Sequence, residues 1–331
     1  MKAIVFDRFG DPADVLQARE VPAPEPGPGQ VRVRMIASPI NPSDLLTVRG
    51  QYGKLPKLPT TPGFEGVGTV EASGGGLLGR LRLGKRVAVL NAQGGNWQEQ
   101  VIVPARQVVP VAADVTDDQA ASFFVNPATV LVMVRHVLKV PRGAWLLQTA
   151  AGSALGRMVI RLSKVDGFRT INVVRRPEQA EELLRLGGDA AICTASESIE
   201  ERANALTGGV GVPYALDAVG GATGSGAAAS LGLHGRMLVY GTLSEEPLTL
   251  HPRVLIVGNK RVEGFWLANW ARQQRFWSML RLFRQINRLL GDGTFATEVG
   301  ARFSLDQIQE AAKEAAKTAR IGKVLLQIGK R

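Results

Sequence analysis

Between Ala144 and Arg176 the chain runs through a short apolar segment, AWLLQTA, a small-residue turn, AAGSALG, a helical stretch, GRMVIRLSKVDG, and a second apolar segment, TINVVRR. Strand, turn, helix and strand in these proportions make a βαβ unit, because two parallel strands can be joined only by a crossover long enough to hold a helix. The runs AAICT, YALDAV, RMLVYG and RVEGFWL follow, with helical patterns between most of them. Repetition of the unit predicts a doubly wound α/β sheet.

The turn itself carries chemistry. Gly152 would let the backbone approach a pyrophosphate, Gly156 would let the helix pack on the strand, and a helix opening near Ala154 would attract negative charge. The run departs from G-x-G-x-x-G, so by itself it reads equally as an ordinary strand-to-helix turn, and its weight comes from the βαβ setting. About 20 residues on, where an acid would meet the ribose hydroxyls of NAD, stand Arg175 and Arg176. Guanidinium groups there suit the additional phosphate of NADPH; the plainer alternative is a pair of solvated charges at a strand end.

The first third has another grammar. KAIVF, QVRVRMIA, GVGTVEA, KRVAVLN and EQVIVP are short and separated by Gly- and Pro-rich stretches, which predicts a β-rich domain with long loops. GGGLLGRLRLGK reads as a flexible basic loop. Near the end, SLDQIQEAAKEAAKTA reads as a helix capped by Ser304, and GKVLLQI as a strand returning to the first domain. A chain of 331 residues, 45% hydrophobic and 21% charged, accommodates two such domains. No stretch is apolar for the length of a membrane helix, and no export signal is visible. A single cysteine, Cys193, excludes an intramolecular disulfide and fits a reducing cytoplasm. The net charge of +11 favours phosphorylated or acidic ligands. Nucleic acid is not expected, since no zinc finger, RRM signature or heptad-bearing basic region occurs.

Five motifs occur in a telling order: Asn41-Pro42-Ser43-Asp44, Gly63-Phe64-Glu65-Gly66-Val67-Gly68, the small-residue turn, Asp217-Ala218-Val219-Gly220-Gly221 and Gly322-Lys323-Val324. On them the chain resembles the medium-chain dehydrogenase/reductase superfamily over nearly its whole length. The resemblance implies a GroES-like β-rich catalytic domain at 1–118 and 299–331, and a Rossmann-type NADPH-binding domain at 119–298. Zinc members of that superfamily carry a Cys shortly before the Asp of the first motif and a His before the Glu of the second. Pro42 and Phe64 occupy the corresponding stretches here and ligate nothing, and the Cys-rich structural zinc lobe is missing, so no metal is expected.

Within the zinc-free branches, NPSDLLTVRGQYGKLPKLP, GGNWQE, VNPAT, RTINVVRR and GFWLANW are similar to the mitochondrial-type 2-enoyl thioester reductases. That resemblance makes Tyr52 the proton donor, in a Gly/Pro-bounded loop where an exposed loop aromatic is the plainer reading. A phenol, ordinarily of pKa about 10, keeps its proton at neutral pH and can give it to an enolate or donate a hydrogen bond to its oxygen. The other implied contacts are with the cofactor: Asn41, Asn126 and Thr129; Gly152, Ser153, Ala154 and Leu155 around the pyrophosphate; Arg175 and Arg176 on the 2′-phosphate. Tyr240, Gly241, Thr242, Leu243, Phe265, Trp266, Leu267 and Lys323 belong with the nicotinamide half. Trp97 and Trp270 are implied substrate contacts. The implied reaction is NADPH-dependent reduction of a trans-2-enoyl thioester of coenzyme A or acyl carrier protein, with quinone or enone reduction as the alternative, and the family is often homodimeric. ARQQRFWSMLRLFRQINRLL reads as one amphipathic helix whose arginines either meet substrate phosphates or form a solvated face.

Overall fold

The structure is a computed structural model describing residues 1–53, 55–317 and 322–329. It divides into two compact units, one of Met1–Asn126 with Trp277–Arg331, the other Pro127–Phe276. These limits differ from the 118/119 and 298/299 divisions expected from the sequence. The physical reason lies in the helix Phe276–Gly291. Phe283 of this helix meets the rings of Phe123 and Phe124, and Asn287 accepts from the Ala112 N–H at 3.1 Å, so most of the helix belongs to the first unit.

In the first unit, a seven-stranded sheet runs in the order Val299–Phe303, Lys323–Gln327, Gln30–Pro39, Glu65–Ser73, Arg86–Leu90 and Val108–Pro110, with Gln100–Pro104 also paired to Gln30–Pro39. All pairs are antiparallel except Val299–Phe303 with Lys323–Gln327. Side chains alternate across strands, so Val31, Val33 and Met35 enter one core with Val70, Val87, Val89, Val101 and Val103. A second core gathers Ile4, Phe6, Ile40, Trp97 and Leu326 against the helix Ile308–Ala316. That helix buries Ile308, Ala311, Ala312 and Ala315, the spacing of a single face. Its start is a capping box between Ser304 and Gln307 through a short 3₁₀ turn, Leu305–Gln307. Thr318 and Ala319, expected in the same helix, lie outside the described residues. The returning strand Lys323–Gln327 does rejoin the first unit.

The basic run after Ser73 is a correction: Leu77–Arg82 is helical, not a loop. Gly79 turns inward there, since a Cβ on it would lie 2.5 Å from Ser73 Oγ, and this close approach lets the turn fold onto the sheet.

The second unit is a six-stranded, wholly parallel sheet in the order Ala190–Cys193, Arg169–Val174, Trp145–Gln148, Val212–Asp217, Leu231–Val239, Arg261–Gly264. The order reverses direction between Trp145–Gln148 and Val212–Asp217, the switch point at which doubly wound sheets open a crevice beyond their carboxyl ends. Leu147, Ile171, Ile192, Ala215 and Met237 are buried in its core. After the last strand come two helices, Leu267–Arg272 and Phe276–Gly291, where one was expected. Among the described residues, no helix is long and apolar enough to cross a membrane.

Candidate active site

In the second unit, the candidate residues gather at the carboxyl ends of the parallel strands. Strand Trp145–Gln148 ends in a turn that leads into the helix Ala154–Asp166, capped by Ser153, whose Oγ accepts from Gly156 N–H at 3.1 Å. Gly156 has no room for a side chain: a Cβ would stand 2.4 Å from Ala151 O. Gly152 is open by comparison, with only the amide end of Gln179 within 3.1 Å of a Cβ there. The left-handed residue of the turn is Ala150, at φ 48°, a position that usually favours glycine. Arg175 and Arg176 are exposed just past strand Arg169–Val174, with Arg176 opening the next helix, Pro177–Arg185.

Across the switch point, Asp217 ends its strand fully buried. Thr149 Oγ1 donates to it at 2.6 Å, and the N–H groups of Val219 and Gly220 donate at 3.1 and 3.0 Å. These bonds tie together the two strand ends that border the crevice. Tyr240, Gly241, Thr242 and Leu243 follow strand Leu231–Val239, and Leu243 N–H donates back to Ala218 at 3.0 Å. Burial and the charge of Asp217 push the Tyr240 phenol above its ordinary range. Phe265 N–H donates to Val239 O at 2.8 Å, Trp266 caps the helix starting at Leu267, and all three residues are partly exposed. Trp270 packs against His136 at 5.6 Å between ring centroids. Desolvation, helped by Arg135 and Lys139, lowers the His136 pKa.

In the first unit, the candidate residues gather around a buried carboxylate cluster. Pro42–Val48 is a short helix that Asn41 and Asp44 begin with a capping box. Asp44 is wholly buried; its Oδ2 accepts from Asn41 N–H at 2.8 Å and its Oδ1 from Phe64 N–H at 3.0 Å. Asn41 Nδ2 donates to Glu65 Oε1 at 3.0 Å. Glu65 Oε2 accepts from Phe124 and Val125, both at 2.9 Å, and so caps the helix Val125–Leu131 that carries Asn126 and Thr129. The Lys323 ammonium, 3% exposed, lies 3.6 Å from Glu65. Burial, with Glu65 adding repulsion, lifts the Asp44 carboxyl to about 7. Tyr52 follows the helix, half-buried, its ring 5.6 Å from that of Phe64.

Comparison with known proteins finds family models for both parts of the chain. A model of the alcohol dehydrogenase GroES-like domain matches residues 27–113, and one of zinc-binding dehydrogenase matches 154–285. The mitochondrial enoyl-[acyl-carrier-protein] reductase of Rattus norvegicus is 30% identical over 321 residues, 96% of this chain and 86% of the relative. The chain belongs to the medium-chain dehydrogenase/reductase superfamily. The Bos taurus enzyme of the same name is 32% identical over 82% of this chain and 74% of its own. Among solved structures, a Bacillus thuringiensis protein assigned as an NADPH:quinone reductase superposes with a TM-score of 0.93 at 34% identity, covering 98% of each chain. A mycobacterial protein solved with NADPH reaches 0.89 at 27% identity, covering 99% of this chain and all of the other.

Catalytic zinc, which the name of the second model implies, does not fit these residues. Pro42 and Phe64 offer no donor atom. Asp44 and Glu65 spend their oxygens on four backbone N–H groups and Asn41, and a buried ammonium stands beside Glu65. In this chain the two carboxylates serve as internal hydrogen-bond acceptors.

Trp97 is a correction within the expected site. It is fully buried in the second core, its indole N–H donates to Pro39 O at 3.3 Å, and it has no surface to offer a substrate. Asn41 and Lys323 are likewise inside the carboxylate cluster, 2% and 3% exposed. Asp44, Glu65, Thr149 and Asp217 were not singled out by the sequence reading. The available signal was an acid inside an otherwise apolar or Gly-rich run, as in YALDAV.

Proposed function

We propose that this chain reduces the C2–C3 double bond of trans-2-enoyl thioesters with NADPH, Tyr52 giving the proton. The observation that carries the reading is the placement of Tyr52: a phenol on a Gly- and Pro-bounded loop, packed on the aromatic residue that stands where zinc relatives have a ligand. A hydroxyl that keeps its proton at neutral pH there suits a reaction that ends in protonation at Cα. The names of the curated relatives, enoyl-[acyl-carrier-protein] reductases, support the same substrate class.

NADPH, when bound, supplies a hydride to Cβ. The residues that would hold it are those at the carboxyl ends of the parallel strands: Gly152 to Leu155 at the pyrophosphate, Arg175 and Arg176 at the 2′-phosphate, Tyr240 to Leu243 and Phe265 to Leu267 further along. Ser153 and the helix it caps aim backbone N–H groups at negative charge. Asn126 and Thr129 ride on the helix Val125–Leu131, whose start Glu65 fixes. Tyr52 protonates Cα and, before that, donates to the thioester oxygen as charge collects there. Trp270 is the retained substrate contact, and Arg272, Arg275, Arg281, Arg284 and Arg288, all exposed, suit the phosphates of coenzyme A or the acidic surface of an acyl carrier.

Two further parts of the reading concern assembly and place. A homodimer through the free edge of strand Arg261–Gly264 would cover Ile256 and Val257, 77% and 74% exposed on the neighbouring helix. The buried, unpaired Cys193 suits a reducing compartment, the cytoplasm in our reading.

Quinone or enone reduction is the second reading, favoured by the name given to the Bacillus thuringiensis protein. The test is NADPH oxidation with crotonyl-CoA and with a simple quinone, for the native chain and for Tyr52→Phe. Enoyl turnover that falls at least a hundredfold in the variant is expected, on the order of what a positioned acid contributes. Quinone turnover without enoyl turnover would overturn the proposal.

A further inference from the structure

We propose that Asp44 is a positioning residue for Tyr52: its carboxylate ties the backbone of Phe64 to the first turn of the helix Pro42–Val48, and Tyr52 is held between the far end of that helix and the Phe64 ring. This inference rests on the reading of Tyr52 as the acid. It concerns a buried residue whose two carboxylate oxygens both accept from backbone N–H groups.

Both ends of the arrangement are defined. At one end, Asp44 sits in the third position of the helix and accepts from Asn41 N–H, fixing where the helix begins. The other end of the helix is closed by Arg49, whose N–H donates to Leu45 O at 3.0 Å, and Gln51 N–H donates to Leu46 O at 2.8 Å. Tyr52 therefore leaves a segment that is hydrogen-bonded up to the residue before it. Opposite, Phe64 is pinned through both of its backbone polar groups, its N–H to Asp44 Oδ1 and its carbonyl by Asn91 N–H at 2.8 Å. Its ring is 5.6 Å from the Tyr52 ring. One carboxylate thus sets the distance between the two surfaces that hold the phenol.

The arrangement needs Asp44 ionised. With both oxygens accepting, each N–H has a charged partner; a proton on either oxygen makes it a poor acceptor and weakens one of the two bonds. The groups facing the carboxyl are Glu65, whose charge opposes ionisation, and Lys323, whose ammonium favours it. Asp44 also lines a small cavity with Thr47, Pro56, Thr61 and Phe64. Its titration falls near neutrality, so the two states exchange within the working range of an ordinary enzyme.

Two measurements test this, one independent of catalysis. Amide exchange over residues 61–68 reads the Phe64 N–H bond directly. In native protein, protection at Phe64 should drop about tenfold between pH 8 and pH 6, beyond the intrinsic change, as a charge-assisted bond becomes a neutral one. In Asp44→Asn it should be low at both. Crotonyl-CoA reduction supplies the second readout: native kcat should climb through the same interval, while Asp44→Asn should be flat, with kcat reduced about tenfold and KM little changed. Phe64→Leu keeps the backbone bond but removes the ring, so native protection with reduced kcat is expected, and this variant carries the test if Asp44→Asn does not fold. Native protection and a native pH profile in Asp44→Asn, or undiminished kcat in Phe64→Leu, would overturn the inference. If Tyr52→Phe keeps full enoyl turnover, the acid reading fails by itself, and the exchange measurement still decides whether Asp44 holds Phe64.

Discussion

Replacing Gly156 by alanine separates the structural from the cofactor-binding role of the small-residue turn. A Cβ at this position would lie 2.4 Å from Ala151 O and 2.7 Å from Ala151 C and Cα. None of these atoms is the movable end of a side chain. Ala151 is fully buried and donates to Val173 O at 3.2 Å, while the Gly156 carbonyl accepts from the buried Gln148 Nε2 at 3.0 Å. Relief of the clash must therefore stretch a strand-to-turn bond or the Gln148 bond. Alanine gains about 1 kcal/mol over glycine in a helix interior, whereas forcing an extra methyl into a packed backbone contact costs about 1–3 kcal/mol. With the overlap on main-chain atoms, the upper part of that range applies, and a net loss of about 2 kcal/mol is expected. The matched variant is Gly152→Ala, whose Cβ would meet only the amide of Gln179 at 3.1 Å. Urea midpoints should fall for Gly156→Ala and stay near native for Gly152→Ala. NADPH affinity, from quenching of tryptophan fluorescence, should fall in both, in the second because the methyl intrudes on the face where the pyrophosphate passes. A native midpoint for Gly156→Ala would refute the packing argument, and native affinity for Gly152→Ala would remove that residue from the phosphate site.

Other expectations follow from the same geometry. Arg175→Ala with Arg176→Ala should weaken NADPH by about a hundredfold, as charge-assisted contacts to one phosphate are lost, and NADH far less; an equal loss for both dinucleotides in titration calorimetry would refute the 2′-phosphate assignment. For Asp44, the carboxyl is at about 7 in the folded chain against about 3.9 in a free peptide. Between those values the folded state keeps a proton that the unfolded chain has released, so stability should decline as pH rises from about 4 to about 7 and this group adds no slope above that. The decline amounts to roughly 4 kcal/mol at most, and denaturant unfolding across that interval should show it in native protein and not in Asp44→Asn. On the proposed homodimer, Ile256→Glu with Val257→Glu should shift sedimentation from dimer to monomer while leaving the far-ultraviolet dichroism unchanged; a native protein that sediments as a monomer would refute the dimer, and a dimer that survives both charges would move the interface elsewhere.

The parallel sheet was legible because its strands are buried on both faces and read as unbroken apolar runs, which little else in a soluble chain produces. Gly156 was legible for a related reason: a helix that starts against its own strand leaves no space for a Cβ. The β-rich unit yielded its strands but not all of its loops. The five glycines and two arginines of GGGLLGRLRLGK look unstructured until Ser73 and Val31 are known to lie beneath Gly79. Trp97, flanked by glycine and polar residues, has the local signature of an exposed aromatic. It is interior because Gly63, at φ 102°, brings the chain so close that a Cβ there would be 2.4 Å from the indole.

The carboxylates were hidden most completely. An aspartate in NPSD or a glutamate in GFEG reads as a surface charge unless its acceptor demand is known, and that demand comes from Phe64, Phe124 and Val125, from 20 to 60 residues away in sequence. Residues of this kind persist in a zinc-free chain for a physical reason. Removing Glu65 would strip two N–H groups of their acceptor at the start of the helix Val125–Leu131 and take away a carboxylate 3.6 Å from the buried Lys323 ammonium, a change costing about 3–5 kcal/mol for a buried pair. Phe64, whose N–H is held by Asp44, presents its ring to Tyr52 at 5.6 Å, so the buried carboxylates support both the helix start and the surface on which Tyr52 rests.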